Sequence, residues 1–465
     1  MKLTLRFSGK TEIKGIEESL DTIIYQNDEK NVNFVHINFY NKEKGRGSST
    51  LLPYFINSME VTLSNGGKIL LVDGQRVQHS SEISYGREVF KYYFDYIIDG
   101  ASDSLNRFSK VYYKVSGIMK WAQKSNFILS ESKEAKHYID LSRDTKLLIY
   151  ESKEYKIEYF VGYLFMSDFM IEEVKLTQKP TIIIESKSPQ SIQWFDEKFN
   201  QFKTIIELAT HKKINYQELS VQEKNTESFS ETKDSILVVN SSFSTINNQE
   251  ENYFDSTNYL FTCTDLLEAS DLANWYQKSE KLKPILNLYV EAYYSDASKI
   301  ENHFLNICQA LETYHSRMYT DNKKNYIEVC KKKLNDYPEE WLQFLVRDEK
   351  SNKILLSERI SDLMFVDNPK FIFSGGFNYV EFPKIISDTR NYYTHYNEKR
   401  RKNALEGEEL IDAIAILRGI LEYHLLRELG FDGENNFFKI NEKFTRIRDN
   451  RRYKKALMES DEVKF

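Results

Sequence analysis

The first half of the chain alternates between apolar and polar residues over short stretches, the pattern of half-buried β-strands. In residues 32–40, for example, Val35 and Ile37 lie on one face of a two-residue repeat. The Ser-Asn-Gly-Gly turn signal at residues 64–67 predicts a hairpin over residues 59–73. The other predicted strands are residues 3–7, 108–115, 146–150, 156–161, 181–185, 235–240 and 259–262. Many short strands with polar connections predict an antiparallel sheet or sandwich.

One helix interrupts this strand-rich part. From Ser191 to about Thr210 apolar residues recur at helical spacing, and Pro189 precedes them, as suits a helix start. Residues 219–234 are rich in Glu, Ser, Thr and Lys and predict an exposed loop.

From about Asp265 the apolar spacing becomes helical and stays so. The predicted helices are residues 271–294, 297–319, 323–334, 339–347, 354–364, 380–396 and 408–429. Pro284 predicts a kink or a break in the first of them. The helices between about 297 and 430 predict a bundle of the four-helix kind. The fold class is therefore α+β, with a β-rich domain over residues 1–265 and a helical domain over residues 266–465.

Composition limits the function classes. The 465 residues, 41% hydrophobic and 29% charged, fit two or three globular domains. A formal charge of −6 does not indicate a nucleic-acid binder, so any RNA contact has to depend on local basic patches. The three cysteines lack metal-ligand spacing and fit buried thiols in a reducing cytosol. No signal peptide or membrane span is predicted, and no cofactor or metal cluster, so we expect a cytoplasmic protein.

The chemistry-bearing stretch is residues 387–396, near the C-terminal end of a predicted helix. Arg390 offers a permanent positive charge and a planar fork of donors that suits phosphate oxygens. His395 is of the residue type best placed to transfer protons near neutral pH. These two groups are sufficient in kind to cleave RNA without a metal. The histidine would remove the 2′-hydroxyl proton, and the arginine would stabilise the charge on the five-coordinate phosphorus.

The pattern R-N-x-x-x-H, formed by Arg390, Asn391 and His395 in a late helix, resembles the HEPN ribonucleases, whose hallmark is R-x(4–6)-H with a polar residue after the arginine. The surrounding residues, from 305–312 to 417–421, resemble the ApeA-type HEPN branch of bacterial anti-phage proteins. The resemblance is strong in the helical part and weak in the N-terminal part.

The resemblance implies several further expectations. HEPN ribonucleases pair their bundles, so we expect a homodimer or a higher even oligomer with two motifs in one cleft. Glu312 resembles the acid that many HEPN proteins place near the motif, and it would orient Arg390 or His395. Asn391 would hold the scissile phosphate or orient His395. By analogy with ApeA-like proteins, the N-terminal domain would sense a phage-derived trigger.

Spacing alone leaves an alternative open. Five residues on an α-helix correspond to a rotation of roughly 140°, so Arg390 and His395 do not share a face of a straight helix. Either His395 lies past a distorted helix end, or the two residues act across an interface. In the alternative without catalysis, Arg390 pairs with an acid such as Asp388 or Glu398, and His395 is an exposed cation favoured by the helix dipole.

Several other side chains have both a functional and an ordinary interpretation. His315 is a backup proton carrier or a buried, satisfied histidine, and His424 is structural. Tyr392, Tyr393 and Tyr396 stack on a base or pack in the core, and we favour Tyr396 for RNA. A basic run within an acidic protein is a solvated face or a surface that follows phosphates. The candidate RNA-binding cations are Lys399, Arg400, Arg401 and Lys402. The basic residues within 442–455 would bind RNA or a partner subunit.

The sequence therefore predicts a metal-independent endoribonuclease. The resemblance implies that it acts in anti-phage defence and cleaves cellular RNA such as tRNA when triggered. Arg390, His395, Asn391 and Glu312 are its candidate catalytic residues. The main alternative is a HEPN bundle without catalysis that serves as a dimerisation and binding module, with an N-terminal domain that binds a protein or a carbohydrate.

Overall fold

The structure is a computed structural model, and its described residues form two compact units. It describes residues 3–12, 20–27, 32–40, 52–82, 87–101, 107–115, 117–131, 137–141, 145–167, 174–222, 236–241, 243, 259–294, 299–335, 337–365, 377–396, 401–434, 439–440 and 442. The first unit spans residues 1–203 and 214–254, and the second spans residues 204–213 and 255–465. No helix in the described part of the chain is long and apolar enough to cross a membrane.

The first unit begins with a closed antiparallel barrel. Its strands are β1 (Leu3–Thr11), β2 (Leu20–Asn27), β3 (Val32–Tyr40), β4 (Phe55–Leu63), β5 (Lys68–Glu82) and β6 (Arg87–Asp99). Their order is β6-β3-β2-β1-β4-β5, and β5 pairs back onto β6 to close the ring. Closure removes the exposed strand edges that an open sheet of the same strands would present.

The barrel interior is filled by alternate residues of its strands, as the two-residue repeat requires. Val35 and Ile37 of β3 and Phe90 and Phe94 of β6 are fully buried. Gly74 of β5 pairs with Phe94, and a Cβ added at Gly74 would lie 2.4 Å from the ring of Phe94. The missing side chain is therefore a packing requirement of this strand.

Strand β6 also belongs to an open antiparallel sheet. The further strands are β7 (Phe108–Val115), β10 (Thr145–Glu151), β11 (Tyr155–Ser167), β12 (Val174–Gln190), β13 (Tyr216–Gln222) and β14 (Ile236–Ser241). Their order is β10-β11-β12-β7-β13-β14-β6. A short helix α1 (Met119–Ala122) and a separate hairpin of β8 (Phe127–Glu131) and β9 (His137–Leu141) lie between β7 and β10 in the chain.

Helix α2 (Ile192–Thr210) follows β12 directly. The Ser191 hydroxyl accepts a hydrogen bond from the backbone N–H of Trp194 at 3.4 Å, which caps the first turn. Phe199 stacks on Tyr113 of β7 with ring centroids 4.1 Å apart, so the helix packs its aromatic face on the sheet. Asp196 accepts hydrogen bonds from the hydroxyls of Tyr96 and Tyr113, and burial raises the pKa of this carboxyl.

The second unit is helical in its described residues. Its helices are α3 (Cys263–Ala269), α4 (Leu272–Gln277), α5 (Ser279–Tyr294), α6 (Ile300–Met318), α7 (Lys323–Lys333), α8 (Glu340–Leu345), α9 (Leu356–Met364), α10 (Phe382–His395) and α11 (Gly407–Glu428). Helix α6 is central, since it contacts α5, α9, α10 and α11. Its residues Phe304, Ile307 and Leu311 are buried and form one apolar stripe.

The predicted α+β class is confirmed, with corrections of detail. The strand-rich part contains a closed barrel as well as a sheet, and not a sandwich. Residues 219–222 belong to β13 instead of a loop, while residues 223–234 lie outside the described residues. The strand predicted over residues 259–262 is wrong. Thr262 there caps α3, in a capping box with Asp265.

Of the kink or break predicted at Pro284, the break does not occur at this residue. Pro284 lies inside α5, and the predicted helix is interrupted earlier, at Lys278 between α4 and α5. A proline has no N–H to donate to the carbonyl four residues before it, which here is that of Glu280. The guanidinium of Arg317 on α6 donates to this carbonyl oxygen at 3.2 Å. The acceptor that Pro284 leaves without a backbone donor is thereby satisfied, and the helix continues.

Candidate active site

Helix α10 presents the R-N-x-x-x-H residues at its C-terminal end. Pro383 lies in the first turn, where its missing N–H costs no hydrogen bond. The helix stops at His395 because Tyr396 adopts a left-handed backbone conformation with φ of 47°. The backbone N–H of Tyr396 donates to the carbonyl of Tyr392 and closes the last turn. The chain thus places His395 on the final helical residue, with its side chain exposed.

Arg390 is held by two side chains. Its Nη2 lies 3.5 Å from Oε2 of Glu312 on α6, and its Nη1 donates to Oδ1 of Asn391 at 3.4 Å. The sequence-predicted residues Glu312, Arg390 and Asn391 are therefore neighbours, although Glu312 comes from a different helix. Of the two other acids considered for this arginine, Asp388 forms no ion pair with it among the described residues, and Glu398 lies outside the described residues. Two partners limit the rotamers of the guanidinium and fix the direction of its remaining donors.

Cys308 lies on α6 one turn before Glu312 and is fully buried. Burial raises the pKa of its thiol far above the ordinary value, and the nearby charge of Arg390 lowers that pKa only in part. A thiol in such surroundings stays protonated and unreactive. Cys308 is thus packing beneath the Glu312–Arg390 pair and does not supply a nucleophile.

His395 has no hydrogen-bond or ion-pair partner among the residues that the structure describes. No hydrogen bond among the described residues joins it to Arg390 either, and the rotation of roughly 140° between the two positions places them on different faces of α10. Within one described chain the two groups therefore do not converge. A ribose-phosphate link that touches both of them has to bridge two faces of α10 or use residues of two copies.

The predicted RNA-binding residues fall into two groups. Lys399 and Arg400 lie outside the described residues, as do residues 443–455 of the basic tail. Arg401 and Lys402 are exposed and line a depression together with Ala404, Glu406 and Glu409. The Nε of Arg401 lies 3.6 Å from Oε1 of Glu406, so part of its charge is already balanced.

The three tyrosines of the motif helix differ in exposure. Tyr396 is 64% exposed, whereas Tyr392 and Tyr393 are 7% and 8% exposed and belong to the core. The ring of Tyr396 makes an edge contact with the ring of Tyr392, with centroids 5.8 Å apart. The Tyr396 ring is therefore in contact with the core at Tyr392 and otherwise exposed, so it is open to stacking on a base.

His315, the alternative proton carrier, is fully buried. Its Nε2 lies 3.0 Å from Oδ2 of Asp362, and Nη1 of Arg359 donates to its Nδ1 at 3.0 Å. A guanidinium only donates, so Nδ1 accepts and Nε2 carries the hydrogen that is donated to Asp362. The geometry fits the ordinary interpretation of a buried, satisfied histidine.

His424 of α11 is also buried, and its Nε2 donates to the carbonyl oxygen of Leu363 at 2.9 Å. Burial lowers the pKa of its imidazole to about 4. His424 therefore contributes to packing and not to the candidate site.

Sequence reasoning did not single out two hydrogen bonds next to the motif. The hydroxyl of Thr389 accepts from the backbone N–H of Leu405 at 3.1 Å, and the hydroxyl of Tyr393 donates to the carbonyl of the same residue at 2.9 Å. Both side chains were visible as part of the motif stretch. Nothing in the spacing indicated that the connection after α10 folds back onto them.

Two family models match the chain. The model described as ApeA N-terminal domain 1 matches residues 6–275, and the model described as Apea-like HEPN matches residues 305–435. The second match contains Glu312, Arg390, Asn391 and His395. No curated protein and no solved structure matches the chain.

Proposed function

The chain belongs to the ApeA-like HEPN proteins, and from that premise we propose that it is a metal-independent endoribonuclease. One observation carries the proposal. An arginine oriented by a carboxylate from a second helix lies on the same last turns of α10 as an exposed histidine without a protein partner among the described residues. These are the groups that transfer within a ribose-phosphate backbone requires.

In the proposed reaction His395 takes the proton of a 2′-hydroxyl group. The 2′ oxygen attacks the adjacent phosphorus, and the bond from phosphorus to the 5′ oxygen of the next nucleotide breaks. The departing oxygen receives a proton, so the products are a 2′,3′-cyclic phosphate and a 5′-hydroxyl. Arg390 balances the charge that builds on the non-bridging oxygens, and its contact with Glu312 sets its direction. Asn391 holds the guanidinium or the scissile phosphate.

The rotation between Arg390 and His395 supports a paired site. We propose that two copies of the bundle face each other, so that Arg390 of one copy and His395 of the other meet at a single phosphate. HEPN domains typically dimerise and bind RNA, which agrees with this arrangement. The exposed Tyr396, Arg401 and Lys402 would then contact bases and phosphates on either side of the cleaved link.

The biological setting follows from the family. We propose that the protein is cytoplasmic and acts in defence against phage, and that tRNA is among its substrates. The strand-rich N-terminal domain, over residues 1–265, would respond to a phage-derived trigger and release the nuclease activity of residues 266–465.

Incubation of the purified protein with total RNA and with tRNA tests the proposal. We expect fragments with 2′,3′-cyclic phosphate and 5′-hydroxyl ends, at a rate that a chelator does not change. Arg390→Ala and His395→Ala proteins that fold and assemble as the wild type does should yield no fragments. Unchanged cleavage by both variants, or fragments with 3′-hydroxyl and 5′-phosphate ends, would overturn this chemistry.

A further inference from the structure

The connection between α10 and α11 is attached to the motif helix at Leu405. Its side chain is 7% exposed, and its backbone N–H and C=O both pair with side chains of α10, namely Thr389 and Tyr393. Thr389 and Tyr393 are four residues apart and therefore share one face of the helix. We refer to residues 401–406 as the strap and to these two hydrogen bonds as the clamp.

Both hydrogen bonds of the clamp are shielded from water and keep their donors. Thr389 is fully buried and Tyr393 nearly so, which removes competing water from both bonds. Burial raises the pKa of Tyr393 to about 12, so the phenol stays protonated and keeps its donor. Without these side chains a buried backbone N–H and a buried backbone C=O would be unsatisfied.

The residues of the clamp lie next to the candidate catalytic residues in the sequence. Thr389 directly precedes Arg390, and Tyr393 lies two residues before His395. On the strap, Arg401 and Lys402 are four and three residues before Leu405, a separation that the chain can span over at most roughly 14 Å. A hydrogen bond from the N–H of Ala404 to the carbonyl of Arg401 shapes this part of the strap as a turn.

We propose that Thr389 and Tyr393 are positioning residues, which hold the strap on the motif helix and so place Arg401 and Lys402 beside the phosphates that flank the cleavage point. This inference rests on the proposed function. It assigns no contact with RNA to Thr389 or Tyr393 themselves. Their effect on the substrate passes entirely through the two cations of the strap.

The variants Thr389→Val and Tyr393→Phe remove one clamp bond each with little change of shape. We expect KM for RNA to rise about five-fold in each, the scale of one net hydrogen bond, with kcat unchanged. Thr389→Ser keeps the hydroxyl and should restore the wild-type KM. The backbone amide of Leu405 should exchange its hydrogen faster in Thr389→Val than in the wild type.

Thr394→Val is the matched control. Its hydroxyl is on the same helix and exposed, and it donates to the carbonyl of Arg390 at 2.8 Å without a bond to the strap. This variant should keep the wild-type KM. A rise in KM equal to that of Thr389→Val would show that any hydroxyl lost from α10 has this effect, and the proposal would be wrong.

A double-mutant cycle separates positioning from general stability. In a protein with Arg401→Ala and Lys402→Ala, the further change Thr389→Val should leave KM where it is, because the cations through which it acts are gone. A full additional five-fold rise in that background would overturn the proposal, as would a fall in kcat at constant KM in Thr389→Val alone.

Binding of a 2′-O-methyl RNA distinguishes this proposal from the nuclease assignment. If the wild type binds this RNA but cleaves no RNA, the nuclease assignment fails, and weaker binding by Thr389→Val still supports the clamp. Equal binding by wild type and Thr389→Val overturns the clamp, and so does a wild type that binds no RNA.

Discussion

At the scale of single residues, the orientation of the Arg390 guanidinium depends on which carboxylate lies beside it. Glu312 comes from α6, far away in sequence, whereas Asp388 lies two residues before the arginine on the same helix. The ion pair is with Glu312, at 3.5 Å. Side chains two apart on a helix do not face each other, so the distant acid has the better position.

Glu312→Gln should therefore lower kcat for RNA cleavage by up to roughly ten-fold, which corresponds to about 1.4 kcal/mol, because a neutral amide orients the guanidinium less strongly than the carboxylate does. The stability should change little, because the pair is about one-third exposed and solvent screens it. Asp388→Asn serves as the control and should cleave as the wild type does. The measurement is the single-turnover cleavage rate of each variant and of the wild type on the same RNA. Equal losses in the two variants would contradict the assigned role of Glu312.

A second residue-scale prediction concerns pH and His424. Its pKa is about 4 in the folded protein, against an ordinary value of 6.5. The unfolded chain therefore binds a proton first as the pH falls, and folding stability decreases between about pH 6.5 and pH 4. The full loss is roughly 3 kcal/mol, of which part appears by pH 5.

His424→Gln keeps a donor for the carbonyl of Leu363 but does not titrate. Denaturant unfolding at pH 7 and pH 5 should show a smaller drop in stability for this variant than for the wild type. An equal drop in both proteins would assign the pH dependence to other groups. Burial raises the pKa of Asp362, but its hydrogen bond with His315 and the charge of Lys333 together bring that pKa below the ordinary value, so Asp362 loses its contribution to stability only at more acidic pH.

At the scale of elements, α6 and α9 are joined by buried charged groups instead of apolar contacts alone. His315 of α6 bonds both Asp362 and Arg359 of α9, and Arg359 also pairs with Asp321. Each member satisfies its neighbour, so the loss of one leaves buried polar atoms without a partner.

His315→Ala should lower the free energy of unfolding by about 2–4 kcal/mol, because Asp362 and Arg359 each lose a hydrogen bond. Below its lowered melting temperature the variant should still cleave RNA at the wild-type rate. His395→Ala is the converse control, with the wild-type melting temperature and no cleavage. Loss of cleavage by folded His315→Ala would restore this residue as a candidate proton carrier.

The elements also show where sequence patterns suffice. Strands β3 and β7 match their predicted bounds because apolar and polar residues alternate along them. Strand β6 was not predicted, since its outward Tyr93 is as aromatic as its inward Tyr92 and hides the repeat. The break predicted at Pro284 does not occur for another reason. The donor that compensates for the missing N–H of Pro284 is Arg317, which lies on a different helix and is not part of the local sequence pattern.

In the candidate site, too, features formed by residues close in sequence could be predicted, and features that depend on distant parts of the chain could not. Arg390, Asn391 and His395 are recognisable because they are close in sequence, and Glu312 through its family resemblance. The clamp of Thr389 and Tyr393 on Leu405 could not be predicted, because it depends on the path of the connection after α10. Closure of the barrel likewise depends on a long-range pairing, that of β3 with β6.

At the scale of the whole molecule, the described chain leaves Arg390 and His395 apart, and a second copy would supply the missing half of the site. Mixing inactive Arg390→Ala and His395→Ala proteins tests this. With subunit exchange, half of the dimers are mixed, and each has one intact composite site. We expect recovery of about a quarter of the wild-type activity. No recovery in demonstrably mixed dimers would place both groups of each site in one chain.

The most direct measurement of the central claim uses an RNA that the wild type cleaves, made again with a single 2′-deoxyribose at the cleavage position. The account predicts that the all-ribose RNA yields a 2′,3′-cyclic phosphate and a 5′-hydroxyl, and that the substituted RNA stays intact at that position. Cleavage of the deoxy-substituted position by the wild type would contradict the assignment of His395 as the base that activates the 2′-hydroxyl.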